Sequence, residues 1–199
     1  MKVLIPTAGI GSRLGELTDT YNKTMIPIGK RPVISHIIDA YPASAEFVIA
    51  LGYKGDQIRQ FLTMAYPDRK IDFIEIDNFD GPGSGPGYTL RQGKSFIDGP
   101  FLFHANDSII VDVDLKYDFK SDTILLAADN PDSMNYRTAS VDTEHHRVAR
   151  IHDKTVEDIG EIFNYIGVAY VHDYERFLDG LDDLSVEIGE SEYFMDAVE

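Results

Sequence analysis

The chain has 199 residues, a formal charge of −16 and no cysteine. This length fits a single domain, residues 1–199, with a core of its own, and the lack of cysteine excludes disulfides, thiol nucleophiles and zinc–thiolate sites. The acidic charge argues against a nucleic-acid partner, which requires a basic face. Residues 1–95 carry 11 basic against 10 acidic side chains, and residues 96–199 carry 7 against 24. This asymmetry suits a triphosphate in one half and a divalent cation in the other, or simply a solvated acidic surface.

Apolar residues alternate between strand and helix periods along the chain. Strands are predicted at 2–5, 47–51, 71–76, 101–104, 123–128, 139–141, 147–151 and 165–171. Helices are predicted at 33–41, 55–65, 174–181 and 191–198. The alternation predicts an α/β fold, a three-layer αβα Rossmann-like domain with a mostly parallel mixed sheet and a small β-hairpin insertion.

The apolar run at the amino terminus is too short for a signal peptide or a membrane helix. We therefore expect a cytoplasmic enzyme without a membrane partner. In doubly covered sheets, ligands bind beyond the carboxyl ends of the strands. The loops at 6–15, 77–89 and 105–112 should accordingly converge on one site.

A glycine-rich loop follows the first strand. Gly9 and Gly11 let the backbone turn and approach an anion closely, and Arg13 adds a forked cationic donor suited to phosphate. Lys23, ten residues further on, adds a compact positive charge. These are the groups needed to neutralise a triphosphate.

Three other kinds of loop contain similar residues. A dinucleotide-binding fingerprint would need a third glycine at Leu14 and an acidic residue after the second strand, where Leu51-Gly52-Tyr53 stands. A Walker-type loop ending at Gly93-Lys94-Ser95 would need a glycine at Tyr88, and it would close a helix instead of opening one. A plain tight turn with a surface arginine is the third alternative.

Several motifs, taken together, resemble the signature of the sugar-phosphate nucleotidylyltransferases, including their small phosphocholine cytidylyltransferase-like members. The most specific are the segments 6–14 (PTAGIGSRL) and 22–32 (NKTMIPIGKRP). Weaker matches follow in the order that the family shows, at 51–58, 100–109, 147–148, 153–154 and 164–167. The resemblance therefore covers nearly the whole chain.

The resemblance implies a Mg²⁺-dependent enzyme of nucleotide-sugar and cell-surface polysaccharide biosynthesis. It would transfer a nucleoside monophosphate from an NTP to a phosphorylated small molecule, usually a sugar 1-phosphate, and release pyrophosphate. The implied catalytic residues are Arg13, Lys23 and Asp107, with Asp107 also binding the metal. The implied nucleotide-binding residues are Ala8, Gly9, Gly11, Ser12, Arg13, Gly85 and Gly87. The implied acceptor-binding residues are Lys154, Asn164 and Gly167, and a homo-oligomer is left open.

The residues themselves support these roles unequally. A carboxylate just past an apolar strand, as Asp107 is, suits a hard cation that prefers oxygen ligands, although it could also cap a turn. Lys154 lies in a polar segment where a lysine is commonly just solvated. The histidines, including His145 and His146, show no metal-ligand spacing, and we expect them at the surface or in the hairpin.

The chain departs from the family pattern at several places. The segment 81–87 (GPGSGPG) is richer in proline and glycine than the usual base-contacting loop. Asn106 and Arg137 stand where glycines are common, and Asp153 replaces a glutamate. Asp196 resembles an acidic position of the small cytidylyltransferases and is a candidate for the second metal ligand.

Three alternatives stay open at this point. A cytidylyltransferase could take a non-sugar phosphate such as phosphocholine. A glycosyltransferase on a related sheet could use the acidic pair Asp112 and Asp114, which otherwise form a turn. A non-catalytic domain could bind the nucleotide without releasing pyrophosphate.

Overall fold

The computed structural model describes residues 1–111, 119–128, 136–152 and 162–187. Within these ranges the strands, in chain order, are β1 (Lys2–Pro6), β2 (Pro27–Ile28), β3 (Arg31–Pro32), β4 (Glu46–Leu51), β5 (Lys70–Glu75), β6 (Phe101–His104), β7 (Thr123–Ala127), β8 (Thr138–Asp142), β9 (Arg147–His152) and β10 (Ile162–Val171). The helices are α1 (Leu17–Thr20), α2 (Val33–Asp39), α3 (Gly55–Ala65), α4 (Pro86–Gln92) and α5 (Tyr174–Glu187). Short 3-10 turns lie at Ser12–Leu14, Lys23–Met25 and Lys94–Phe96.

The central sheet has eight strands in the order β5-β4-β1-β6-β10-β8-β9, with β7 also paired to β10. The four strands β5, β4, β1 and β6 run parallel to one another. Strand β10 is antiparallel to β6, β7 and β8, and β8 forms a hairpin with β9. The predicted mixed α/β sheet with a hairpin is thus confirmed.

Two apolar clusters cover the two faces of the sheet and make it the middle layer of three. One cluster packs α2 and α3 against β1, β4 and β6, through residues such as Ile34, Ile58 and Phe47. The other packs α4 and α5 against the opposite face, through residues such as Leu90 and Phe177. Strands covered on both faces need continuous apolar runs, which explains why Phe47–Leu51 was recognisable as a strand.

The observed elements differ from the predicted ones mainly in length. Strand β10 begins at Ile162, three residues before the predicted start, because its first residues pair with β8. Helix α5 continues to Glu187, beyond the predicted end at 181. The two-stranded sheet β2–β3, which turns through Gly29 at a φ of 66°, was not predicted. The helix predicted at 191–198 lies outside the described residues.

None of the helices in the described ranges combines the length and the apolar character needed to cross a membrane.

Candidate functional site

The loops that follow β1, β4 and β5 meet at Gly52. A Cβ atom on Gly52 would lie 2.8 Å from the Cβ and the carbonyl oxygen of Ala8, and 2.9 Å from Cβ of Phe79. The next residue, Tyr53, donates its backbone N–H to the carbonyl oxygen of Ala8 at 2.8 Å. Only glycine allows this approach, so Gly52 brings together two of the loops that were predicted to converge.

The glycine-rich loop after β1 contains two glycines with different constraints. Gly11 has a φ of 74°, and a Cβ atom there would lie 3.1 Å from Cβ of Lys23. A Cβ atom on Gly9 would meet nothing within 4 Å. Gly11 therefore serves the fold, whereas Gly9 leaves open space at the surface.

Ser12 and Arg13 follow these glycines on a 3-10 turn, and both side chains are exposed. Within the part of the chain that the structure describes, the Arg13 side chain makes no hydrogen bond or ion pair. An exposed guanidinium without a protein partner is available to an anionic ligand.

Asn22 joins the glycine-rich loop to the turn between β4 and α3. Its side chain is fully buried, and Nδ2 donates to the carbonyl oxygens of Thr7 at 3.0 Å and Tyr53 at 2.6 Å. Its Oδ1 accepts from the backbone N–H and the hydroxyl of Thr24, at 2.9 and 2.8 Å. All the hydrogen-bonding groups of this amide are thus used, and the backbone on both sides of Lys23 is fixed.

Lys23 reaches across to the loop that follows β6. Its Nζ lies 2.6 Å from Oδ2 of Asp107, and the two side chains are 24% and 57% exposed. The structure therefore brings the predicted phosphate-binding lysine and the predicted metal-binding aspartate into direct contact. Loops separated by 84 positions in the sequence meet here.

His104, the last residue of β6, corrects the expectation that the histidines lie at the surface or in the hairpin. Its side chain is fully buried, and burial lowers the pKa of its imidazole. His145 fits the expectation, because it is exposed in the β8–β9 hairpin and pairs with Asp142 at 2.8 Å.

The start of α4 carries Gly85 and Gly87, which the resemblance assigns to the nucleotide base. Gly85 caps α4, and Gly87 is buried in its first turn. Beside them, the hydroxyl of Tyr88 donates to Oδ1 of Asp77 at 2.5 Å, which holds the pKa of the Asp77 carboxyl below its usual value. The Phe79 ring lies 6.4 Å from that of Tyr53, so this loop packs beside the turn after β4.

The predicted acceptor residues Asn164 and Gly167 both lie on β10. Asn164 is buried and pairs in register with Thr138 of β8 and Ala127 of β7. Gly167 has a φ of 83°, and a Cβ atom there would lie 2.5 Å from Cβ of Ala105. The fold alone accounts for this glycine, so its contact with an acceptor stays a prediction.

Other predicted residues lie outside the described ranges, namely Asp112, Asp114, Asp153, Lys154 and Asp196. In the ranges that are described, no group of three or more His, Asp or Glu side chains is arranged to hold a metal ion. Asp107 is thus the carboxylate on which a metal site in this part of the chain would depend.

Comparison with known proteins adds homology to this geometry. No protein-family model matches the chain. The bifunctional protein GlmU of Methanococcus aeolicus is 33% identical over 152 residues, which are 73% of this chain and 34% of that protein. The glucose-1-phosphate cytidylyltransferase of Salmonella typhimurium is 28% identical over 138 residues, which are 58% of this chain and 53% of that protein.

The chain belongs to the sugar-phosphate nucleotidylyltransferase family.

A solved structure shows how far the family fold extends. The CTP:phosphocholine cytidylyltransferase from Streptococcus pneumoniae superposes with a TM-score of 0.76 at 19% identity, over 99% of this chain and 83% of that one. This chain spans about a third of the length of the first curated relatives that it matches.

Sequence reasoning missed three residues that build the site of this nucleotidylyltransferase homologue. In the sequence, Asn22 was notable only for its position directly before Lys23. Asparagine is a common N-cap residue, and the structure has Asn22 at the N-cap of the 3-10 turn Lys23–Met25. The sequence does offer a signal for Gly52, because an isolated glycine after a buried strand often marks a point where two backbones approach closely. For His104, a histidine ending an otherwise apolar strand was the available signal.

Proposed function

We propose that the chain is a Mg²⁺-dependent nucleotidylyltransferase that joins the nucleoside monophosphate of an NTP to a phosphorylated small molecule and releases pyrophosphate. The observation that carries this proposal is the 2.6 Å contact between Lys23 and Asp107. It joins an ammonium group, which we assign to phosphate, and a carboxylate, which we assign to the metal, at the carboxyl edge of the sheet. Homology to a glucose-1-phosphate cytidylyltransferase supports the same reaction.

In the proposed reaction, an acceptor phosphate oxygen attacks the α-phosphorus of the NTP in line with the bridging oxygen. One P–O bond forms, the P–O bond to pyrophosphate breaks, and no proton has to move because the attacking phosphate is already ionised. Catalysis then consists of alignment and charge neutralisation. Arg13 and Lys23 stabilise the charge that builds on the departing pyrophosphate, and the backbone at Gly9 leaves room for it.

The residues of the site fit Mg²⁺. This ion is commonly held by one or two carboxylates together with waters and substrate phosphates, so the single exposed carboxylate of Asp107 is a sufficient protein anchor. When bound, Mg²⁺ neutralises phosphate charge and orients the phosphate oxygens. Asp107 would hold it, and Lys23, displaced from Asp107, would turn to the phosphates.

We propose a sugar 1-phosphate as the acceptor, on the basis of two buried oxygens. Oδ1 of Asn164 and Oγ1 of Thr138 are buried and have no hydrogen-bond partner among the described residues, and the two residues are directly opposite each other on β10 and β8. Directly opposite residues project from the same face of a sheet. A buried oxygen without a donor is costly, and a sugar hydroxyl can donate to one of the two oxygens and accept from the other. The trimethylammonium of phosphocholine has no N–H or O–H to offer.

The test is pyrophosphate release in Mg²⁺ with each of ATP, CTP, GTP, UTP and dTTP against sugar 1-phosphates and phosphocholine. We expect release that requires both an NTP and a sugar 1-phosphate and that is lost in Asp107→Ala. Release with phosphocholine alone would reject the choice of acceptor and keep the reaction. A nucleotide that binds without any release would identify a non-catalytic domain, and no nucleotide binding would reject the proposal altogether.

Arg13→Ala tests the phosphate role separately. We expect turnover to fall by about a hundredfold or more, the scale for losing one such electrostatic donor. Arg176→Ala, which removes an exposed arginine from α5, is the matched control and should leave turnover unchanged. Near-normal turnover in Arg13→Ala would remove Arg13 from the mechanism.

The proposed substrates are metabolites of the cytoplasm, where we place the reaction.

A further inference from the structure

His104 is buried between two hydrogen-bonding partners that belong to different parts of the fold. Its Nδ1 lies 2.6 Å from the hydroxyl of Tyr41, and its Nε2 lies 2.9 Å from the carbonyl oxygen of Ser108. Both His104 and Tyr41 are buried, at 0% and 3% exposure. A polar pair placed this deep in the core is costly unless every group is satisfied, and here both ring nitrogens are.

The hydrogen-bonding partners of His104 determine which ring nitrogen carries the proton of the neutral ring. A carbonyl oxygen can only accept a hydrogen bond, so Nε2 carries the proton and donates it to Ser108. Nδ1 of the neutral ring then accepts from the Tyr41 hydroxyl. Burial lowers the pKa of this histidine and favours the same neutral form.

Ser108 is the residue directly after Asp107, and the turn that carries Asp107 is fixed at both ends. Ala105 donates its backbone N–H to the carbonyl oxygen of Gly167 at 2.7 Å. The Ser108 hydroxyl donates to the carbonyl oxygen of Ile166. The hydrogen bond from His104 ties this turn to the layer of helices that contains α2, because Tyr41, the other partner of His104, follows α2 in the chain.

The orientation of Tyr41 is itself set by packing. Its ring meets Phe47 of β4 edge to face at 5.8 Å and 78°, and meets the His104 ring at 5.7 Å and 70°. A rigid path therefore runs from the core of β4 through Tyr41 and His104 to the backbone of the turn.

We infer that His104, oriented by Tyr41, is a positioning residue that holds the turn 105–108 so that the Asp107 carboxylate stands where it can bind a divalent cation beside Lys23. This inference rests on the proposed function for the metal and on the structure for the turn. Because His104 and Tyr41 are both buried, we assign neither of them a contact with the substrates.

The first experiment compares Tyr41→Phe with Tyr66→Phe. Tyr41→Phe removes the hydroxyl that donates to His104. Tyr66→Phe removes a hydroxyl that donates to the carbonyl oxygen of Ser35 within α2 at 3.5 Å and is hydrogen-bonded to Arg31, and neither partner belongs to the turn. Binding of Mn²⁺ alone is measured by electron paramagnetic resonance, with Asp107→Asn to identify the site. We expect Tyr41→Phe to weaken Mn²⁺ binding about tenfold, the lower end of what loss of a residue supporting a metal ligand costs, and Tyr66→Phe to leave it unchanged.

Equal Mn²⁺ affinity in wild type and Tyr41→Phe would overturn the inference, and so would an equal loss in Tyr66→Phe, which would indicate general destabilisation. Amide hydrogen exchange of residues 105–108, measured without metal, separates this inference from the proposed function. Faster exchange in Tyr41→Phe, but not in Tyr66→Phe, supports the positioning role even where wild type binds no Mn²⁺ at Asp107. Unchanged exchange rejects it.

A second pair of variants tests whether the hydrogen bond from Nε2 of His104 to Ser108 is what holds the turn. His104→Gln keeps an N–H that can reach Ser108, whereas His104→Leu keeps only the bulk. We expect His104→Gln to retain more of the Mn²⁺ affinity than His104→Leu by several-fold. Equal loss in the two variants at equal thermal stability would show that the hydrogen bond to Ser108 does not position the turn.

Discussion

Nζ of Lys23 lies 2.6 Å from Oδ2 of Asp107, so the two charges with proposed roles in phosphate and metal binding bind each other in the structure. Because both side chains are partly exposed, at 24% and 57%, the pair contributes only about 0–1 kcal/mol to stability. Such a weak pair exchanges partners readily. A complex of Mg²⁺ with an NTP offers a cation to Asp107 and phosphates to Lys23 at the same time.

Lys23→Met should therefore shift metal binding and turnover in opposite directions. Mn²⁺ binding without nucleotide should strengthen by about two- to fivefold, because a competing ammonium is gone. Pyrophosphate release should fall by about a hundredfold or more. Lys70→Met is the control, since Lys70 forms a similar exposed pair with Glu46, at 2.7 Å, at the opposite edge of the sheet. A loss of both properties would contradict the exchange of partners.

The two glycines of the first loop should respond differently to alanine. Gly9→Ala should leave the free energy of unfolding within about 0.5 kcal/mol of wild type, because the new Cβ meets nothing within 4 Å. It should nevertheless weaken NTP binding if that space belongs to phosphate. Gly11→Ala should lower stability by about 1–2 kcal/mol, since its φ of 74° disfavours a side chain. Urea denaturation and NTP titration measure both; unaltered NTP affinity in Gly9→Ala would remove that glycine from the site.

Asn22→Ala should be among the more destabilising single changes in the amino-terminal half of the chain. It removes two donors and one acceptor from a fully buried site, leaving the carbonyl oxygens of Thr7 and Tyr53 without those donors. At about 1 kcal/mol for each hydrogen bond, we expect a loss of about 2–4 kcal/mol in the free energy of unfolding. Asn78→Ala, which removes one exposed bond to Pro82, should cost about 0.5 kcal/mol or less. Similar values for the two variants would contradict the role of Asn22.

The stability of the protein should fall as the pH drops below about 6.5, with His104 as one cause. Burial lowers its pKa from the ordinary 6.5, so below that pH the unfolded chain takes up a proton that the folded chain refuses. Linkage then gives a slope of up to about 1.4 kcal/mol per pH unit, ending at the lowered pKa of the folded state. Below pH 6.5, the stability of His104→Gln should lack the pH dependence that His104 contributes. A substitution of the exposed His172 should leave that pH dependence in place. Parallel pH profiles for wild type and His104→Gln would refute it.

Much of the fold could be predicted from the sequence because it rests on local pattern. Runs such as Phe47–Leu51 and Phe101–Phe103 are apolar on both faces, which only a covered strand requires. The beginning of β10 was missed because Ile162-Phe163-Asn164 carries no comparable run, and its strand conformation comes from pairing with β8. Similarly, Pro27–Ile28 and Arg31–Pro32 form a ladder too short to leave a periodic signal.

The site was predictable in its location and less so in its internal contacts. The carboxyl ends of parallel strands necessarily share an edge, which predicted that the loops after β1 and β6 converge. Lys23, which lies beside Gly11, does contact Asp107. The burial of Asn22 and His104 depends on partners far along the chain, such as Tyr53 and Tyr41. No spacing in the sequence records such partners, so their roles emerged only from the structure.

The place of β10 in the sheet has a consequence for the protein as it is synthesised. Strand β6 lies between β1 and β10 in the sheet. In the chain, however, the whole β7–β9 segment separates β6 from β10, so β10 is synthesised much later. On the ribosome, the nascent chain therefore exposes the free edge of a strand as apolar as Phe101-Leu102-Phe103, a pairing template for other chains. Until Gly167 emerges and docks on Ala105, the turn that bears Asp107 also lacks one of its anchors. The amino-terminal half thus depends on the later half both for protection during translation and for a complete candidate site.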